Sequence, residues 1–133
     1  MFIMLTPDQF KVNDAWIAVR INEEFLFVKE DPYDIFVLMD AASAYVLGFV
    51  FSRVVEEATT AKDVQDLFHK AWAAKRQWAK KLIVSDDSIA SNLFIQEARK
   101  NGIPFDIVPI SDLSPIIEPL KESFAKHFLG NGT

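Results

Sequence analysis

The apolar residues of the chain fall into short continuous or alternating runs, separated by two stretches with helical spacing. In Ala15–Ile21 the side chains of Trp16, Ala18 and Arg20 alternate with those of Ile17, Val19 and Ile21, which predicts a strand with at least one buried face. The segment Glu23–Tyr33 carries Phe25, Leu26, Phe27 and Val28 and breaks at Asp31-Pro32, so it reads either as a hairpin extension or as cover for a sheet edge. Ile35–Met39 is apolar throughout and predicts a central strand. Asp40–Ser43 has turn chemistry, and Tyr45–Phe51 predicts a third strand antiparallel to the second. Gly48 inside it marks a close backbone approach or a bulge.

The helical stretches follow. Thr60 with Asp63 resembles a capping box, and Val64, Leu67, Phe68, Ala71 and Trp72 recur at helical spacing in an element expected to reach Trp78. Leu82–Val84 is then a strand reached by a long connection, so a parallel crossover is expected. Ile89–Lys100 predicts a helix closed by Asn101-Gly102, and Phe105–Pro109 a fifth strand. At the start, Thr6-Pro7-Asp8 predicts the cap of a short helix around Gln9–Lys11. At the end, Ser114-Pro115 reads as a turn and Pro119 as the start of a helix with Leu120, Phe124 and Phe128 inward.

Composition narrows the chemistry. The 133 residues suit one domain over 1–133, with 1–14 as an N-terminal extension and 130–133 as a disordered tail. There is no cysteine, which removes disulfides, thiolate metal sites and cysteine nucleophiles. No run approaches the roughly 20 apolar residues of a membrane span, and Met1–Leu5 lacks the basic lead of a signal peptide. A soluble cytoplasmic protein is expected. The net charge of −5 argues against nucleic acid as a partner. Lys70, Lys75, Arg76, Lys80 and Lys81 form the one basic cluster, and it reads as cations gathered at the negative end of a helix.

Other candidate groups are sparse. His69 and His127 are isolated, Ser85 and Ser88 lack a nearby glycine elbow, and four glycines cannot build a phosphate loop. Trp72 and Trp78 read as core. Asp40 suits a side-chain cap on its own turn. Asp86 and Asp87 open a strand-to-helix connection, where an N-cap is the ordinary role. Glu122 lies about 200° around its helix from Leu120 and Phe124, so it reads as a solvated surface residue.

Taken in order, three strands, a helix, a strand, a helix, a strand and a helix resemble a ribonuclease H-like domain, and the motifs resemble the catalytic core of retroviral integrases and DDE transposases. Val37–Asp40, Ser43, Tyr45 and Gly48 match that family's hydrophobic strand ending in Asp-x-x-Ser, then an aromatic and a glycine. Ile83-Val84-Ser85-Asp86 is similar to the strand ending in its second aspartate, and Gly102-Ile103 to its Gly-Ile pair. Pro115 followed by Glu122-Ser123-Phe124 is similar to its last element, and 35 residues separate Asp86 from Glu122, as in the family. Glu118 is a rival for Glu122, one turn earlier.

The resemblance implies an α/β, three-layer fold: a five-stranded mixed sheet, three antiparallel strands then two parallel, with helices on both faces. It also implies two divalent metals about 4 Å apart, held by carboxylates. Asp86 then reads equally as an inherited metal ligand and as a cap, with Glu122 as the second ligand and Asp40 as a displaced substitute. The chain departs from the pattern at the first acid, expected three residues after the tryptophan, where Val19 stands. A valine offers no oxygen to Mg²⁺ or Mn²⁺. The expectation is therefore a stand-alone, catalytically inactive, degenerate integrase-like domain used for binding or assembly, with no resident cofactor and with homodimerisation through helix faces. The alternative is a Mg²⁺- or Mn²⁺-dependent nuclease or strand transferase working with an incomplete acidic triad.

Overall fold

β1 (Ala15–Arg20) is the row on which the rest of the sheet is laid. It pairs antiparallel with β3 (Asp31–Asp40), Trp16 opposite Asp40 and Arg20 opposite Phe36. On its other edge it pairs parallel with β5 (Lys81–Ser85), Ala15 opposite Lys81 and Ala18 opposite Val84. β6 (Phe105–Val108) continues the parallel side beyond β5, and β4 (Val46–Arg53) the antiparallel side beyond β3. The computed structural model describes residues 5–21, 26–28, 31–43, 45–53, 61–85 and 91–124.

A short strand, β2 (Leu26–Val28), pairs with the beginning of β3. Tyr33 has Leu26 on one side and Arg53 of β4 on the other, so β2 lies on the same edge of β3 as β1 and prolongs that row. Six strand segments thus make the five rows β4-β3-β1-β5-β6. Of the two readings open for Glu23–Tyr33, the described part takes the hairpin extension.

Alternation in β1 feeds both faces. Trp16 and Ala18 belong to a core with Val64, Leu67, Phe68 and Ala71 of α1 (Ala61–Lys75) and with Phe94, Ile95 and Ala98 of α2 (Ser91–Lys100). Ile17, Val19 and Ile21 belong to the opposite core, with Leu113 from a 3₁₀ turn (Ile110–Leu113) and Ile116 and Ile117 of α3 (Ser114–Phe124). Gly48 shows both features expected of it. The β3–β4 register jumps from Leu38–Gly48 to Met39–Val46, leaving Leu47 as a bulge, and a Cβ at Gly48 would overlap Leu67 Cδ1 of α1.

Three local expectations are corrected. The first helix is a 3₁₀ turn over Pro7–Gln9 rather than Gln9–Lys11. Beside it, Leu5 donates its backbone N–H to the Asp112 carbonyl at 2.8 Å, and Leu5 and Phe10 pack on the α3-side core. α1 stops at Lys75, not Trp78, because Arg76 takes a left-handed φ of 58° and turns the chain back. Trp78 then packs edge-on to Trp16 at 6.1 Å and against Phe68 and Trp72. Finally, α3 begins at Ser114, with Pro119 inside it. Burial of Leu113, Ile116 and Ile117 outweighs the backbone hydrogen bond that Pro119 cannot donate. Among the described residues no helix is long and apolar enough to cross a membrane.

Candidate functional site

The carboxyl end of β5 is the place to look, since α/β sheets present their sites beyond strand ends. Ala18 lies opposite Val84, so Val19 and Ser85 are the next neighbours in the parallel pair. Strand alternation puts Ser85 on the same face as Ile83, the α3 face, beside Val19. Both are 1% exposed. Across the other edge Val19 faces Val37, which is fully buried. Asp86, Asp87 and Ser88 lie outside the described residues.

Asp40 is at the other end of the sheet. It is opposite Trp16, which is opposite Leu82, three residues before Ser85. That is about 10 Å along the strands and about 10 Å across two strand spacings. It also belongs to the other face, in alternation with Phe36 and Leu38. Its carboxylate is completely buried and occupied: it accepts the backbone N–H of Asn13 at 2.7 Å, the N–H of Ser43 at 2.9 Å and the Ser43 hydroxyl at 2.8 Å. This is the turn-capping role expected of it, extended to a second loop.

Asn13 makes that second contact, and sequence reasoning did not single it out. It is buried with φ 67°, and its side-chain oxygen accepts the Trp16 indole N–H at 3.2 Å. Its carbonyl accepts the N–H of Lys80 at 3.0 Å. The available signal is that asparagine tolerates the left-handed region better than other residues.

The remaining candidates are dispersed. Glu118 and Glu122 are both exposed on α3, and His69 is exposed on α1. His127 lies outside the described residues. Glu97 of α2 is a buried acid not foreseen, held by the Asn101 amide at 3.2 Å with Lys100 at 3.7 Å. Among the described residues no three acidic or histidine side chains converge as a metal site would require. The basic cluster is mostly engaged within the molecule. Lys75 lies over Tyr45, Arg76 over Trp72, Lys80 beside Asp14 and Lys81 beside Asp106. The backbone N–H of Lys11, 2.9 Å from the Asp14 carboxylate, and then Lys80 hold the Asp14 pKa below its ordinary value, against the opposing effect of desolvation.

Two surface grooves lie elsewhere. One of about 370 Å³ runs between β4 and α1, past Phe49, Asp63, Asp66 and Lys70. The other, of about 430 Å³, lies at the amino ends of β5 and β6, between Phe10, Lys80, Lys81 and Phe105.

No protein-family model matches the sequence, and no curated protein matches it. Solved structures do. A chain of the simian T-cell lymphotropic virus intasome, solved with the PP2A regulatory subunit B56 gamma, superposes with a TM-score of 0.56 over 96% of this chain at 19% identity. The HTLV-2 integrase catalytic core domain with magnesium, in its trimeric form, gives 0.53 over 98% at 12% identity. The present chain shares the fold of these integrase chains. It spans 43% of the simian virus chain and 79% of the HTLV-2 chain. The five-row mixed sheet with helices on both faces is therefore as the resemblance implied.

The integrase-core fold implies a pair of divalent ions, and the described residues do not fit one. Hard cations need oxygen ligands, whereas the β1 position beside the end of β5 carries the buried hydrocarbon of Val19. The glutamates of α3 stand in solvent, and Asp40 faces the opposite core.

Proposed function

We propose that this integrase-core fold works as a catalytically inactive, cytoplasmic binding or assembly module that self-associates as a homodimer. The observations supporting this reading are the buried valine at position 19 and the remoteness of Asp40 from the carboxyl end of β5. Phosphoryl transfer by two metals needs carboxylates around ions about 4 Å apart. Asp40 lies about 10 Å along and about 10 Å across the sheet from the β5 end, and the strand between them contributes Val19.

A protein partner suits the surface better than nucleic acid. The net charge is −5, and four cations of the basic cluster are stacked on rings or paired with aspartates. Apolar side chains are available for protein contact, with Tyr45 and Phe49 exposed on or beside β4 and Trp72 on α1.

The test is a nuclease and strand-transfer assay with Mg²⁺ and Mn²⁺, alongside light-scattering mass measurement. No turnover with a dimeric mass is expected. Metal-dependent cleavage by the wild type, abolished in Asp86→Asn and Glu122→Gln, would instead establish the enzyme reading.

A further inference from the structure

The misfit at Val19 has a structural consequence beyond lost chemistry. We infer that the position this fold reserves for a metal-bridging acid has become a docking point of the hydrophobic core, so that the fold is independent of divalent ions and an acid restored there is not rescued by them. The inference rests on the proposed inactive reading and deepens it.

Three observations carry it. Val19 is 1% exposed and occupies an interior row, paired with buried Val37 on one side and flanked by Ser85 on the other. Its neighbours along the strand on the same face, Ile17 and Ile21, are equally buried, so β1 presents an unbroken apolar row there, with the Ser85 hydroxyl of β5 as the polar group beside it. Ile116 and Ile117 of α3 and Leu113 just before it belong to that same core. The helix therefore sits down on β1 by its apolar side, leaving Glu118 and Glu122 in solvent. A carboxylate at position 19 would enter a core whose described members are apolar, and an unpaired buried charge is strongly destabilising.

Thermal unfolding of wild type, Val19→Asp, Val19→Asn and Val19→Thr, each with and without millimolar MgCl₂ or MnCl₂, decides the matter. The wild-type midpoint is expected to be unmoved by either ion. Val19→Asp should lose roughly 10 °C or more, Val19→Asn less, and the near-isosteric Val19→Thr least, all without recovery in metal. Val19→Thr keeps the comparison readable if Val19→Asp fails to fold. Selective recovery of Val19→Asp by Mn²⁺, absent in Val19→Asn, would overturn the inference, because the remaining ligands would then still be assembled around position 19. A metal-raised wild-type midpoint would overturn it as well. Nuclease activity of the wild type would sink the proposed function, whereas metal rescue confined to Val19→Asp would sink only this inference.

Discussion

The Asp40 carboxylate accepts the backbone N–H of Asn13 at 2.7 Å across 27 residues of sequence. It thereby ties the loop before β1 to the end of β3, while its second oxygen holds Ser43. Removing it leaves the buried Asn13 N–H and the two half-buried donors of Ser43 without that acceptor. Asp40→Ala is expected to cost about 2–4 kcal/mol in urea unfolding, and Asp40→Asn about half as much because one acceptor oxygen remains. A cost below about 0.5 kcal/mol for the alanine variant would rule out the clasp.

Gly48 is a point of close approach between β4 and α1. A methyl group there must displace the buried Leu67 side chain, so Gly48→Ala should destabilise by about 1–3 kcal/mol. In the double variant with Leu67→Ala the two losses should fall short of additive. Strict additivity would mean that the two positions do not press on each other.

Pro119 costs α3 a hydrogen bond at an exposed position. Pro119→Ala restores the donor, and a gain of about 1–2 kcal/mol is expected after the added freedom of the unfolded chain is subtracted. Circular dichroism melts check this. A lower midpoint would show that the ring itself is needed for packing.

Asp14 supplies an acid-side pH dependence. Its folded-state pKa is depressed, so its contribution is complete above the ordinary aspartate value of 3.8 and fades as the pH falls through the lower folded value. Asp14→Asn should therefore be less stable than wild type near neutrality, with the two curves converging in acid. Parallel curves down to full protonation would contradict the assigned linkage.

The strands were readable because their chemistry is local and repetitive. The alternation of Trp16 and Ala18 with Ile17 and Val19 is the alternation of two cores, and the apolar run Ile35–Met39 is a strand paired on both edges. The ends of helices were less readable. Nothing near Arg76 announces a left-handed residue, and the turn there is sustained by Trp78 meeting Trp16, Phe68 and Trp72. Pro119 signals a helix start by local preference, and only the distant core explains why the helix begins five residues earlier.

The site was legible in part. Val19 could be read as a buried strand residue, and Asp40 as a turn cap, from type and position alone. Which face and which end of the sheet each occupies depends on register, which short strands leave open. Asn13 shows the limit most clearly, since its importance comes from three partners brought to it by separate segments.

β1 contributes side chains to both cores while hydrogen-bonding to β3 and β5. Neither layer can melt alone without stripping one side of that strand, so the two halves should behave as one cooperative unit. The amides of Ile17 and Val19 should accordingly be among the slowest to exchange with solvent deuterium, opening only when the whole sheet does.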